Sequence, residues 1–354
     1  MKKLVVVSLY DGISIAMSSL NRLGIYPTKY YASEIDPYAI SISKYNFPEI
    51  IRLTDVTKIT GNEIKEPVDL LIGGSPCNGF SFAGKMLQFN DPNSKLFFEY
   101  VRLLKILKPK YFLFENVKMP TKSSQVISEM LNFDFKQLNS NLLSAQNRSR
   151  LYWSNLKIKM PKPQGLLLKD IIQDGEVNYN YTNEPNFMER YNNKASDISA
   201  SPQVLMNVKK NFFKIPDKFY LSRKMKNYIL ADKFGNKGKI NLNPKVAKTL
   251  TASYFKMQRS NVANYISAGY APEGKTNIRR VTPTEAERLQ TLPDNYTALG
   301  IDKNGKQVSI SDSRRYYVLG NGFTSDIISW ILSPLLKENP DMNNKHSLQL
   351  KLFK

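Results

Sequence analysis

Cysteine and histidine are nearly absent: each occurs once in 354 residues. A single cysteine excludes an intrachain disulfide and any cysteine-cluster zinc site. The one histidine, His346, lies close to the end of the chain. Histidine-based metal binding and histidine general-base catalysis are therefore not expected. Long apolar runs are missing too. The opening MKKLVVVSLYDG carries lysines and a short apolar run, which stops at Asp11 and Gly12. That is too soon for a signal peptide or a membrane span. These absences predict a soluble, cytoplasmic protein with no metal and no membrane partner, expected to be a monomer.

Negative charge is also scarce. Lys and Arg number 51 against 30 Asp and Glu, for a net charge of +21. Such a surplus favours polyanionic partners through long-range attraction and counterion release. The abundance of Lys, Asn, Ile and Tyr, typical of AT-rich genomes, accounts for part of it. With 42% hydrophobic and 23% charged residues the chain is globular. Its length suits one large domain or two ordinary ones.

KLVVVSL (3–9) reads as a buried strand and ends in an Asp11-Gly12 turn. A helix follows, with Ile13, Ala16, Met17, Leu20 and Leu23 on one face. KYYAS is a second strand ending at Glu34, and Asp36-Pro37 caps and starts a second helix. VDLLIGG is a strand, SKLFFEYVRLLKIL a helix, and KYFLFEN a strand running into Glu115 and Asn116. The alternation predicts an α/β fold with a parallel sheet covered on both faces. Active groups then belong at the C-terminal strand ends, where Asp11, Glu34, Cys77 and Glu115 all fall. Residues 161–275 show no period and read as an inserted, irregular domain. Regularity returns where Thr282, Pro283 and Glu285 spell a capping box with proline at the first helical position. RRYYVLGNGFTSDIISWILSPLL reads as a turn at 320–322 followed by a helix.

Four stretches carry candidate chemistry. In GGSPCNGFS (73–81) the lone Cys77 is either a small buried residue or a nucleophile whose thiol is activated by its surroundings. Two preceding glycines mark a turn where the backbone comes close to something. In FLFENV, Glu115 is either a strand-end carboxylate bonded to backbone or a proton donor in a dry cleft. In QNRSRLYW, Arg148 and Arg150 are either a solvated pair or, on one face of a strand, a binder of carbonyl or phosphate oxygen. SLYDGISIA has one glycine and no G-x-G-x-x-G pattern. With Glu34 placed for ribose hydroxyls, it suggests an adenosine cofactor without a diphosphate.

In this order, the stretches resemble the DNA cytosine-5 methyltransferases. GGSPCNGFS is similar to their nucleophile loop, FENV to their proton-donor motif, QNRSR to their paired-arginine motif and SLYDGISIA to their cofactor loop. RRVTPTEAERLQTLPD resembles the helix closing their recognition domain, and YYVLGNGFT their last cofactor-pocket motif. The likeness covers roughly 4–160 and 245–336. The asparagine after Pro76-Cys77 and the LYDG turn resemble the eukaryotic de novo enzymes. Family members commonly carry more glycine where this chain has Ser14 and Ile15.

The resemblance implies a class I, Rossmann-like methyltransferase fold of mostly parallel sheet. A catalytic domain at 1–160 plus 305–337 would be interrupted by a target-recognition domain at 161–304, with a tail at 338–354. It implies S-adenosyl-L-methionine as cofactor and double-stranded DNA as partner, with a base flipped from the duplex and a modification-type role. Cys77 would attack cytosine C6, Glu115 would serve N3, Arg150 would hold O2 and Arg148 would brace the loop. Tyr10, Asp11, Gly12 and Ile13 would line the cofactor, with Glu34 on its ribose and Ile35 against the adenine. Asp55 would sit near the adenine amino group, and Val56, Pro76, Leu96 and Asn321 would complete the pocket. Ser81, Thr249 and Leu250 would meet DNA. A tRNA cytosine methyltransferase on the same fold and a non-catalytic DNA-binding relative are the alternatives; a nicotinamide dehydrogenase is disfavoured by the missing glycines.

Overall fold

In the computed structural model, residues 4–75, 92–173, 215–231, 241–256 and 263–336 are described. The first half alternates as its apolar pattern predicts. Strand β1 (Val5–Leu9) is buried throughout and leads to α1 (Ile15–Arg22). Strand β2 (Lys29–Ser33) leads to α2 (Pro37–Asn46). Asp36 starts α2 by accepting the amides of Tyr38 and Ala39, each at 2.9 Å, an N-cap worth about 1 kcal/mol. Then come β3 (Ile51–Arg52), β4 (Leu70–Gly73), α3 (Pro92–Leu107), β5 (Tyr111–Val117), α4 (Thr121–Leu131), β6 (Lys136–Asn139), β7 (Gln146–Asn147) and β8 (Ser149–Ser154).

Seven of these strands form one sheet in the order β3-β2-β1-β4-β5-β8-β6. Only β8 runs against its neighbours. This is the mostly parallel, Rossmann-like arrangement that the resemblance implies. Strand side chains alternate between two cores. Val5, Val7, Leu9, Phe112 and Phe114 pack with Phe97, Tyr100 and Ile127 of α3 and α4. Val6, Leu70, Ile72 and Leu113 pack on the opposite face with Ala16, Met17 and Leu20 of α1.

The later chain is more ordered than its sequence suggests. In place of an irregular stretch, the described parts hold β9 (Tyr220–Ser222), α5 (Arg223–Ala231), β10 (Ala247–Lys248), β11 (Tyr265–Ser267) and β12 (Lys275–Arg280). Strands β11, β12 and β9 form an antiparallel sheet. These strands are too short to show a period, and their core leans on scattered aromatics such as Phe219, Tyr220, Tyr254 and Tyr265. Strand β10 pairs in parallel with β7, Ala247 opposite Gln146.

Helix α6 (Pro283–Leu289) begins with the expected capping box. Thr282 Oγ1 accepts the Glu285 amide at 3.2 Å, and Glu285 Oε2 accepts the Thr282 amide at 2.8 Å. Arg279 adds a bidentate pair to the same carboxylate at 2.7 and 2.9 Å, with both side chains 0% exposed. The hairpin β13 (Leu299–Ile301) and β14 (Gln307–Ser309) follows, and β13 lies on α2. Gly300 has no room for a side chain, since a Cβ would lie 2.3 Å from Ser41 Oγ.

The last α-helices among the described residues are α7 (Asp312–Asn321) and α8 (Ser325–Leu332), and α8 packs against α1. The expected turn at 320–322 is corrected: α7 continues through Gly320 to Asn321. Gly320 is there for close approach, because a Cβ would fall 2.2 Å from the Thr251 carbonyl carbon. Among the described residues no helix is long and apolar enough to cross a membrane.

Candidate active site

The strand order reverses between β1 and β4, which opens a crevice beyond their C-terminal ends. Two carboxylates flank it, one following β2 and one near the end of β5, on either side of the β1–β4 pair.

At the end of β2, Glu34 spreads its carboxylate over three backbone amides. Oε2 accepts from Gly12, and Oε1 from Ile35 and Asp36, all at 2.8 Å. Burial pushes its carboxyl up, and those amides pull it back. The Ile35 side chain is 71% exposed, an apolar surface offered to whatever enters the crevice. Asp55 turns back onto Thr57, accepting its amide and hydroxyl at 2.9 Å, which holds its carboxyl below the usual range. Tyr10 donates to the Leu96 carbonyl at 2.5 Å and so ties the loop after β1 to α3. The Asp11 carboxylate faces inward, accepting from Tyr30 at 2.7 Å and from Ser14. Ile13 and Val56 have buried side chains, while Asn321 is exposed at the end of α7.

At the end of β5 stands Glu115, with Arg150 Nε 3.2 Å from its Oε1 and both side chains 13% exposed. Burial pushes the Glu115 carboxyl up, and the guanidinium groups of Arg150 and Arg148 oppose that rise. The carboxylate lies directly over Gly74, where a Cβ would sit 2.8 Å from Glu115 Oε2. That is the close approach the paired glycines anticipate. Buried Asn116 points its amide at Ser75, with long hydrogen bonds of 3.4 Å to the carbonyl and 3.5 Å to the hydroxyl. Ser75 immediately precedes Pro76 and Cys77 in the chain. Pro76, Cys77 and Ser81 lie outside the described residues.

The paired arginines part company, which corrects the expectation of one strand with both side chains on one face. The run breaks at Arg148, between β7 and β8. Arg150, in β8, sits opposite Val117 and reaches Glu115. Arg148 is buried and donates to the carbonyls of Leu250 (2.9 Å), Gly320 (3.2 Å) and Gly322 (2.9 Å). Beside it Gln146 accepts the Leu250 amide at 2.7 Å, and Thr249 donates to the Asn147 carbonyl at 2.6 Å. Thr249 and Leu250 are thus fastened to β7 and Arg148, immediately before the strand that carries Arg150.

Residues 4–336 match the family model of the C-5 cytosine-specific DNA methylases. The chain belongs to that family. Among its relatives, the orphan methyltransferase of Bacillus phage SPR is 31% identical over 294 residues, covering 78% of this chain and 65% of that one. A type II methyltransferase of Lactococcus lactis subsp. cremoris is 28% identical over 340 residues, covering 89% and 75%. The chain therefore spans about two thirds to three quarters of the length of these curated relatives. The solved structure of the Entamoeba histolytica methyltransferase EhMeth superposes with a TM-score of 0.63 over 96% of this chain and 99% of that one. At 18% identity this likeness is one of fold.

In this chain the described site residues fall into two groups, one around Glu34 and one around Glu115. Sequence reasoning missed Asn116 and Gln146, and for Gly74 it anticipated a close approach without its partner Glu115. The doubled glycine was a usable signal for Gly74. Asn116 gave only the sign of a polar residue in an apolar strand. Gln146 gave none, because its partner Leu250 is 104 residues away. Among the described residues, no group of three or more His, Cys, Asp or Glu could hold a metal ion.

Proposed function

We propose that this DNA methylase transfers a methyl group from S-adenosyl-L-methionine to C5 of a cytosine flipped out of duplex DNA. The observation that carries this reading is the buried Glu115–Arg150 pair, set over Gly74 on the approach to Cys77.

Cytosine C5 is a poor nucleophile. The Cys77 thiolate adds to C6 and forms a C6–S bond, which pushes electron density onto C5. Glu115 offers its proton to N3, the atom that gains negative character. Its upward-shifted carboxyl keeps that proton to higher pH than a solvated glutamate would. Arg150 donates to O2 while remaining against Glu115. Water takes the C5 proton after methylation, the C6–S electrons return to sulfur so that Cys77 leaves as thiolate, and N3 gives its proton back to Glu115.

The crevice suits the cofactor: its adenosine finds the exposed Ile35, the Glu34 carboxylate and the Gly12 backbone at the strand-order reversal. The cofactor supplies an electrophilic methyl on a sulfonium. Tyr10, Asp11, Gly12, Asp55, Leu96 and Asn321 would hold it, Asp11 through its backbone. Thr249 and Leu250, held by Gln146 and Arg148, would face the nucleotide's phosphate. The region 161–304 would read the target, and the phage and type II relatives favour a DNA-modification role.

DNA containing 5-fluorocytosine tests the reading, because fluorine blocks the final elimination. The wild-type chain with cofactor should trap such DNA covalently, and Cys77→Ala should not, while still binding cofactor. Trapping by the Ala variant would remove Cys77 from the mechanism. Methylation of tRNA and not of duplex DNA would replace the DNA reading with the tRNA one.

A further inference from the structure

The loop between β1 and α1 carries a strained residue that its proposed role leaves unexplained. Three of its residues are left-handed: Tyr10 (φ 57°), Gly12 (φ 58°) and Ser14 (φ 59°). Glycine accepts that conformation freely, whereas a residue with a Cβ pays a steric penalty. Ser14 is fully buried and sits at the start of α1, yet its hydroxyl caps none of the helix amides. It is bonded instead to Asp11 Oδ2 and to Ser43 Oγ on α2. The network continues outward from both partners. Arg52 Nη2 donates to Ser43 Oγ at 2.5 Å, Arg52 Nη1 lies 3.8 Å from Asp11 Oδ2, and Tyr30 donates to Asp11 Oδ1 at 2.7 Å.

The consequence lies in what this network joins. Asp11 and Ser14 belong to the loop whose Gly12 amide is held by Glu34. Ser43 belongs to α2, the helix that follows Glu34 and Ile35. The two walls of the crevice are thus bonded together beneath its floor through one serine hydroxyl.

We infer that Ser14 is a positioning residue for the cofactor: its hydroxyl, through Asp11 and Ser43, keeps the loop left-handed and ties it to α2. This rests on the reading that the crevice holds S-adenosyl-L-methionine. It makes an unusual prediction about two small substitutions. At an ordinary buried serine, alanine is the milder replacement and glycine the harsher one. Here the order reverses. Alanine keeps the Cβ penalty and loses the hydroxyl that offsets it, whereas glycine loses the hydroxyl but adopts the conformation freely.

Calorimetric titration of the full chain with S-adenosyl-L-methionine, alongside thermal melting without cofactor, tests this. Ser14→Ala should raise the cofactor Kd by about tenfold or more, and Ser14→Gly should stay within about threefold of wild type. Turnover at saturating cofactor should change little in either, so the effect appears in KM and not in kcat. Ser43→Ala removes the α2 end of the tie from an ordinary helical position, and so serves should Ser14→Ala fail to fold. It should weaken cofactor binding by no more than Ser14→Gly does, up to about threefold, while the protein melts as a folded chain. Weaker cofactor binding by Ser14→Gly than by Ser14→Ala, or wild-type affinity in both Ser14→Ala and Ser43→Ala, would overturn the inference alone. No cofactor binding by the wild-type chain would instead overturn the methyl-transfer reading, and this inference with it.

Discussion

The ends of β2 and β5 invite comparison, because each carries a glutamate whose carboxyl burial pushes up. Their partners differ in kind. Glu34 is saturated by the amides of Gly12, Ile35 and Asp36, all of which favour the charged form. It is a fixed acceptor that shapes a binding surface. Among the described residues, Glu115 has its polar contact with the Arg150 guanidinium and lies against the bare backbone of Gly74. The guanidinium groups of Arg150 and Arg148 favour its charged form while burial opposes it, and in the proposed mechanism it is this carboxyl that gains and loses a proton. Burial alone does not distinguish a binding carboxylate from one that moves protons; the chemistry of its neighbours does.

The sharpest break of this contrast is Glu115→Gln. The shape survives and the transferable proton does not, so turnover should fall on the order of a hundredfold or more. The pH profile carries the sign. With its carboxyl raised, Glu115 stays protonated above the ordinary glutamate range, and wild-type turnover should fall as pH rises through that raised value. Glu115→Gln should lose this alkaline limb. The same sign applies to stability. The contribution of a raised carboxyl is fully present below its unfolded value and is lost as pH rises through the folded one. A Gln variant with near-normal turnover and an unchanged profile would reduce Glu115 to a structural part.

A smaller effect is expected from Gly74→Ala. The added Cβ would press on Glu115 Oε2 from 2.8 Å and push the carboxylate off Arg150. Turnover should drop by about tenfold or more through misplacement alone, with cofactor affinity close to wild type. Steady-state kinetics with calorimetry of cofactor binding separates the two; loss of affinity without loss of kcat would show that Gly74 serves the cofactor side.

The smallest effect belongs to the other strand end. Glu34→Gln leaves one acceptor oxygen and turns an NH2 group toward an amide that needs an acceptor. Cofactor affinity should weaken by about tenfold, the scale of a lost charged hydrogen bond, while saturated turnover stays near wild type. If kcat falls and affinity holds, the division between the two strand ends is wrong.

Local pattern accounts for what could be read in advance. The apolar runs of β1, β4 and β5, the Asp36-Pro37 cap, the Thr282–Glu285 capping box and the placement of Glu34 and Glu115 at strand ends all depend on residues a few positions apart. Periodicity and turn chemistry act over that distance. The small β9–β11–β12 sheet was not readable, because its strands of three to six residues are too short for alternation to show.

The amino-acid sequence by itself determined the family, the alternation of strands and helices and the candidate chemical groups, since each follows from residue type and short-range spacing. Only the tertiary structure decided their partners. It broke the paired-arginine run so that Arg150 meets Glu115 while Arg148 binds carbonyls 102 to 174 residues away. It set Glu115 over Gly74, aimed Asn116 at Ser75 and turned Asp11 inward to Ser14 and Tyr30. The physical reason is common to all of these. Backbone carbonyls and amides are the same in every residue, so a side chain that bonds to distant backbone leaves no mark in the sequence at the place it reaches.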